Sequence, residues 1–518
     1  MLRIKSDWPI LALALLFTAK AFFLAFWVTP LWDIPDEIGH YAYTEDIASG
    51  RGFPLLGTAN ISAEINTNVT GVPSPSSDNW IAQHPPIYYL VAAIPLKITT
   101  ILSDNQDLRF RSPRIVAALA GGLVLIVLYQ TLLFLSVDRR TATAVAAATG
   151  FVPMFSHLAS GTNHDVPLFL FCALVAKYFS RYIVDRQISD AYLCAFWLAV
   201  AASTKMTALV LLAPIVAILV FEIDGNLGRI FNRAVILTLI AISLPSIWLA
   251  RNIWYFGDPF TTSVDLSAAP GQSTTSLSFF EFMRTYPAIE HFVVNFFGLF
   301  GWIGTGKGAV SWFQINGLPL TAYSVIFCGF SIIVAVGATL SLAQRPMPAL
   351  PAPGPVINYF WKFYDSLAPT SRIAYSALIL IGAAVAAAVV LVLTQSPNTS
   401  YVIAIGAMAL MYAAVISLFT IVSGRQPNDV RLFSYCVLTA GFFAIVLVEQ
   451  IYSLSNALGQ LRASHGRYMY PVIPFLVLAF GMLTKRSRAL GAVSILVVLI
   501  MAYFEIETFI VQVVPFYE

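Results

Sequence analysis

Long apolar runs separated by short polar stretches set the pattern of this chain. Runs of spanning length fall at 8–29, 113–136, 142–160, 166–184, 190–204, 206–221, 230–253, 319–343, 373–394, 401–422, 432–453, 470–484 and 489–512. A helix crosses a bilayer with about 20 apolar residues, whereas a barrel strand alternates over about ten. The pattern therefore predicts an all-α polytopic membrane protein with about 13 transmembrane helices. The runs 190–204 and 206–221 are short and meet at Ser203-Thr204-Lys205. One further apolar segment, His84 to Leu102, opens on His84-Pro85-Pro86 and contains Pro95 and Lys97. Whether it spans sets the side of every later loop.

Charge bias decides that question. With the segment at the interface and the N-terminus cytoplasmic, the cytoplasmic side receives sixteen basic and eight acidic residues, and the outer side eleven basic and eighteen acidic. A spanning segment would turn Arg139-Arg140 and Lys485-Arg486 outward, against the positive-inside bias. The expected layout has the N-terminus inside, the C-terminus outside and the first run retained as a helix rather than cleaved. It divides into a front module, 1–253, with a long outer loop over 30–112 that includes interfacial helices, a second outer loop, 254–318, and a back module, 319–518. A proline-rich cytoplasmic linker, 343–372, contains Pro346, Pro348, Pro351, Pro353 and Pro355.

Composition agrees and narrows the partners. The chain is 58% hydrophobic and 11% charged over 518 residues, with a net charge of +3, which excludes soluble and disordered classes and makes nucleic acid an unexpected partner. Cys172, Cys194, Cys328 and Cys436 lie inside apolar runs and read as core residues.

All six histidines, and most carboxylates, fall on the expected outer side. Polar groups near lipid are costly unless they line a cavity or face water, so this concentration suggests a site; longer outer loops would also collect them. Asp33-Ile34-Pro35-Asp36-Glu37-Ile38-Gly39-His40 follows the first run. It reads either as a well-capped interfacial helix or as a carboxylate–imidazole pair, because Asp36 and His40 are four apart and share a helix face. Gln83-His84-Pro85-Pro86-Ile87-Tyr88-Tyr89 reads as a rigid membrane-surface anchor. In Ser160-Gly161-Thr162-Asn163-His164-Asp165-Val166-Pro167, Asp165 either caps the next helix or supplies a second site carboxylate. Lys205 reads as a helix break that points toward the same face. Arg467, in His465-Gly466-Arg467-Tyr468, could grip a phosphate or reach to headgroups. Phe296-Phe297-Gly298-Leu299-Phe300-Gly301-Trp302 reads as a re-entrant turn or the wall of a lipid groove, and Glu505 as a solvated residue near a helix end.

Taken in order, Pro35-Asp36-Glu37-x-x-His40, His84-Pro85-Pro86-x-Tyr88-Tyr89, Ser160-Gly161 with Asn163-x-Asp165, Lys205, Arg251-Asn252 with Gly257-Asp258-Pro259, Phe297-Gly298-x-Phe300-Gly301-Trp302 and Gly466-Arg467-Tyr468 resemble the DUF2142 group of bacterial membrane proteins. That group is similar to the GT-C glycosyltransferases, among them protein O-mannosyltransferases and the lipid A aminoarabinose transferase. The resemblance implies transfer of a sugar from a polyprenyl-phosphate donor to a hydroxyl of a glycan, lipid or protein at the outer face of the bacterial cytoplasmic membrane, with inversion. It implies Asp36, Glu37 and Asp165 as catalytic candidates. Arg467, Lys205, His40, His84 and Tyr468 become candidates for donor phosphate and substrate, and Asp36, Asp165 and His40 candidate ligands of a divalent cation (Mg, Mn or Zn). Two departures stand out: His84 occupies the place of a Glu-Lys pair in the aminoarabinose transferase, and no large soluble domain follows the last run. Other readings are a transporter or flippase of a lipid-linked sugar, which should place ionisable groups at the bilayer midplane, and a polysaccharide polymerase or ligase.

Overall fold

The computed structural model describes residues 4–222, 227–263, 277–301, 309–318, 322–343, 399–422, 427–459, 461, 464–486 and 488–517. They are dominated by helix, with two small two-stranded sheets. The first helix, α1 (Ile4–Phe23), runs on into a π-helical turn, Leu24–Val28. The outer loop then supplies α2 (Glu37–Ala48), α3 (Ala63–Thr70), a 3-10 turn at Trp80–Gln83, α4 (Ile87–Leu102) and α5 (Gln106–Arg111), with β1 (Asn60–Ile61) paired antiparallel to β2 (Ser77–Asp78). The front bundle continues with α6 (Arg114–Phe134), α7 (Arg139–Gly150), α8 (Pro153–Ala159), α9 (Asp165–Asp185), α10 (Ile188–Ala202), a 3-10 turn at Met206–Leu211, α11 (Leu212–Phe221) and α12 (Leu227–Phe256). Further helices cover Ala322–Ala343, Thr399–Val422, Asn428–Leu458, Ile473–Arg486 and Arg488–Ile506.

Among the described residues, six helical stretches are long and apolar enough to cross a membrane: Asp7–Val28, Gln106–Phe134, Asp165–Asp185, Gly228–Phe256, Asn428–Asn456 and Ser494–Tyr517. The α7–α8 pair makes seven if it counts as one span. The expected count of thirteen therefore stands at six or seven among the described residues, the other expected runs appearing there as shorter apolar helices. Run 373–394 and most of the linker 343–372 lie outside the described residues. Run 142–160 is a broken helix, bent by 66° between α7 and α8. Pro153 opens α8 at a position where its missing N–H costs nothing.

The segment expected at the interface is α4. Its 16 residues rise about 24 Å, short of the ~30 Å hydrocarbon core. One face, Tyr88, Tyr89, Ala92, Ala93 and Leu96, is buried, while Leu90, Val91, Ile94, Ile98 and Leu102 are exposed. The exposed apolar side is the one left to meet lipid.

One continuous core joins α1, α6 to α11 and the helices Asn428–Leu458 and Ile473–Arg486. Helix α1 lies against α6 because Gly121 and Gly122 leave room for it. A Cβ on Gly122 would stand 2.1 Å from Thr18 Oγ1, and one on Gly121 2.4 Å from the Phe17 ring. Small residues allow this close approach where lipid provides no hydrophobic drive.

Two ion pairs tie distant segments together. Arg114, at the start of α6, meets Glu37 in a fork, Nε to Oε1 and Nη2 to Oε2 both at 2.8 Å, with side chains 0% and 1% exposed. Arg114 also donates to the carbonyls of Ala25, Thr29 and Pro30, which the turn after α1 leaves open. Lys20 in α1 donates to Ser156 Oγ and, at 2.6 Å, to Glu505 Oε1. Glu505 is therefore buried in the bundle rather than solvated as expected, because Lys20 supplies its counter-charge. In the described part of the Phe296–Trp302 stretch, Phe297 ends a helix, Leu299–Phe300 pairs with Val310–Ser311, and Phe300 packs on Phe509.

Candidate active site

Five helix ends meet where α1 finishes: the start of α2, the entry to α4, the start of α9, the finish of α10 and the turn before Ile473–Arg486. Each brings one of the singled-out residues. Asp36 is the residue before α2, with a left-handed backbone (φ 65°) and no side-chain capping bond. Aspartate tolerates this conformation better than most residues, yet it costs energy and commonly marks a functional turn. Because Asp36 does not cap α2, as the well-capped reading expected, its carboxylate is available elsewhere.

At α9, Asn163 does the capping: its Oδ1 accepts from the backbone of Asp165 and Val166, and its Nδ2 donates to the Leu158 carbonyl. This frees the Asp165 side chain. Lys205 stands in extended backbone between α10 and the following 3-10 turn, so the break at Ser203-Thr204-Lys205 aims its amine at the α9 start. Arg467 lies in a 3-10 turn, Gly466–Met469, packed on the helix Ala288–Phe297. A Cβ on Gly466 would be 2.4 Å from the Phe292 carbonyl, so glycine is what lets this turn sit so close.

These side chains form one charged cluster. Arg467 Nη2 donates to Asp36 Oδ2 at 2.8 Å, and its Nη1 lies 3.6 Å from Asp165 Oδ2. Lys205 Nζ donates to Asp165 Oδ1 at 2.7 Å. Trp80 Nε1 donates to Asp36 Oδ1, and the Lys205 amine sits 4.7 Å over the Tyr468 ring. Two carboxylates and two cations balance. Arg467 is 4% exposed and its Nε has no partner among the described residues, whereas Asp36 is 29% exposed and gives the cluster its opening.

Burial would push the Asp36 carboxyl up, but the Arg467 guanidinium and His40 more than offset it and hold the group at about 2. Burial would likewise weaken Arg467 as a cation, and Asp165 and Asp36 instead hold its pKa above the usual arginine value.

Three imidazoles stand beside the cluster. His164 is 4.5 Å, ring to ring, from both His40 and His84. Asp36 and His40 do share the start of α2, but the Asp36 carboxylate takes Arg467 and Trp80 as partners. Desolvation, partly offset by Asp36 and Asp165, lowers His40 to about 4. Desolvation and Lys205 push His84 and His164 well below the usual histidine value. Burial, with Arg467, takes His465 to about 3. All four are neutral at pH 7, which bears on stability. The unfolded chain binds protons at each histidine below about pH 6.5 and the folded chain does not, so stability is complete above that pH and falls as pH drops toward the folded pKa. Between pH 7 and 5, His40 alone is expected to remove about 2 kcal/mol. A thermal-unfolding series in detergent should show the apparent Tm falling over this range.

Not every expected site residue joins the cluster. Both Glu37 oxygens are occupied by Arg114 and the backbone N–H groups of Trp32 and Thr162, which gives this carboxylate an architectural place rather than the catalytic one expected. The expected cation set is Asp36, Asp165 and His40. The Arg467 guanidinium bridges the two carboxylates, and among the described residues no group of three His, Cys, Asp or Glu side chains is arranged to hold a metal ion.

Residues 83–248, a stretch that includes His84, Asp165 and Lys205, match the dolichyl-phosphate-mannose-protein mannosyltransferase family. No curated protein matches the chain. Among solved structures, the chain is similar to the Saccharomyces cerevisiae protein O-mannosyltransferase Pmt1–Pmt2 complex bound to its sugar donor, with 16% identity, TM-score 0.36 and 50% of this chain aligned to 35% of that one. It thus spans about a third of that protein's length. It is also similar to ArnT from Cupriavidus metallidurans bound to undecaprenyl phosphate, with 14% identity, TM-score 0.34 and coverage of 93% and 79%. A third is the oligosaccharyltransferase AglB from Archaeoglobus fulgidus in complex with an inhibitory peptide and a dolichol phosphate, with 12% identity, TM-score 0.38 and coverage of 99% and 56%.

Proposed function

We propose that this protein is a membrane glycosyltransferase of the GT-C type that moves a sugar, with inversion, from a polyprenyl-phosphate donor to a hydroxyl acceptor. The reaction is placed at the outer face of a bacterial cytoplasmic membrane, with the N-terminus inside and the C-terminus outside. The observation that carries this reading is the balanced cluster of Asp36, Arg467, Asp165 and Lys205 at one end of an apolar bundle. The family match over 83–248 supports it.

Transfer needs a base for the acceptor hydroxyl and charge stabilisation for the departing phosphate. Asp36, ionised and partly open, is the base; Arg467 and Lys205 are the cations for the phosphate. At about 2, Asp36 is a weak base while Arg467 holds it. A donor phosphodiester brings a negative charge that draws Arg467 away, and Asp36 becomes more basic as its counter-charge leaves. The acceptor proton then passes to Asp36 as the acceptor oxygen bonds to the sugar C1 and the C1–phosphate bond breaks. Asp165 keeps Lys205 and Arg467 in place.

The test is direct. Purified protein in lipid nanodiscs is incubated with a panel of undecaprenyl-phosphate sugars, and release of undecaprenyl phosphate is measured with and without glycan and lipid acceptors. Release that is lost in Arg467→Met supports the reading. Movement of the intact donor across a vesicle bilayer without release would replace it with transport.

A further inference from the structure

Tyr89 is fully buried, its ring stacked on Tyr43 with centroids 3.8 Å apart. Its hydroxyl lies between two imidazoles, 2.8 Å from His40 Nδ1 and 3.2 Å from His164 Nδ1. A hydroxyl carries one hydrogen, so it donates to one of these nitrogens and accepts from the other. The two histidines must therefore hold opposite tautomers. Asp165 decides which is which. Its Oδ1 lies 3.4 Å from His164 Nε2, and a carboxylate favours a proton on the nitrogen that faces it. His164 then carries its proton on Nε2 and has a bare Nδ1, to which Tyr89 donates. Tyr89 in turn accepts from a protonated His40 Nδ1. This leaves the lone pair of His40 on Nε2, the ring nitrogen that does not face Tyr89.

We infer that His40 Nε2 is a fixed lone pair that receives the hydrogen of a sugar hydroxyl, held in that state through Tyr89 and His164 by Asp165. The inference rests on the transferase reading of the site. His40 lies one helical turn beyond Asp36, so a hydroxyl bonded to it stands next to the proposed base. A sugar offers several hydroxyls, and a lone pair that cannot switch to N–H accepts from one of them and rejects a carbonyl or phosphate oxygen in the same place. Tyr89 and His164 are positioning residues: they touch no substrate and act through the His40 tautomer.

Tyr89→Phe keeps the ring on Tyr43 and removes only the hydroxyl, which makes it the informative variant. Full-length protein with 15N-labelled histidine rings, in nanodiscs and without substrate, is measured by solid-state NMR, the His40 signals being assigned by their loss in His40→Gln. The expected result is a protonated Nδ1 and bare Nε2 at His40, the reverse at His164, and mixed tautomers at His40 in Tyr89→Phe. A protonated Nε2 at His40 in the unaltered protein overturns the inference.

The kinetic arm uses the undecaprenyl-phosphate sugar that is turned over in the donor panel. Tyr89→Phe is expected to lower kcat/KM about tenfold, the value of one good hydrogen bond. His40→Gln, whose Oε1 offers a lone pair in nearly the same place, is expected to retain more activity than His40→Phe. Full activity in Tyr89→Phe, or equal activity in the two His40 variants, overturns the inference. An effect on donor hydrolysis as well as transfer assigns the hydroxyl to the donor sugar; an effect on transfer alone assigns it to the acceptor. The NMR arm needs no substrate. If the tautomers are as expected and no donor in the panel is turned over, the transferase reading fails while the His40 lone pair stands.

Discussion

Asp36→Asn is expected to lower turnover by a factor of about 10²–10⁴, the usual contribution of a positioned general base, with the protein still folded. Asparagine keeps the shape of the side chain, and its single oxygen can still accept from Arg467 or from Trp80, though not from both. It cannot take up a proton. The direction of KM separates this role from a structural one. In the resting protein Arg467 is bound to Asp36 at 2.8 Å, and the donor phosphate must draw it off. Without the carboxylate charge Arg467 is freer to meet the phosphate, so KM for the donor should hold or fall while kcat collapses. A rise in donor KM with near-normal kcat would remove Asp36 from the proton transfer. The comparison is made by initial rates at several donor concentrations, with apparent Tm as the check on folding.

The second large effect is on stability. Removing one partner of a buried ion pair leaves a charge without water or counter-charge and typically costs about 3–5 kcal/mol. Glu37 and Arg114 are among the most buried charged side chains in the front bundle, and Arg114 also holds the open carbonyls of Ala25, Thr29 and Pro30. Glu37→Gln and Arg114→Met should each lower the stability by an amount in this range, read from denaturant or thermal unfolding in detergent. The double variant should be less unstable than the sum of the two, because it leaves no lone buried charge. Strict additivity would show that the pair is not coupled. Loss of transfer activity in these variants should follow the loss of folded protein, unlike that in Asp36→Asn.

The helical architecture was legible in the periodicity because apolar runs of spanning length have few alternatives. So was the gathering of chemistry at one end: Asp36, Asp165, Lys205 and Arg467 are scattered over most of the sequence, yet the alternation of helix direction puts them at the same end. What the pattern did not contain was which side chain takes which partner. Glu37 and Asp36 are adjacent in sequence and equally acidic. Only the left-handed turn at Asp36 separates them, sending one carboxylate to Arg467 and the other to Arg114. Arg114 itself looks like any cation that flanks an apolar run. Tyr89 reads as an interface anchor, since a tyrosine beside lipid and one between two histidines have the same letter. The α7–α8 bend was hidden for a related reason: apolarity continues through it, and Pro153 is a signal of where a helix begins as much as of where one breaks.

The pairing of Lys20 with Glu505 has a consequence for biogenesis. The two residues are 485 positions apart. At a synthesis rate of about 5–20 residues per second, Lys20 enters the membrane roughly half a minute or more before Glu505 leaves the ribosome. During that interval an apolar segment carries a lysine with no counter-charge, a burden of about 2.5–3.5 kcal/mol at a bilayer centre. The first helix carries this burden until Glu505 arrives to neutralise it.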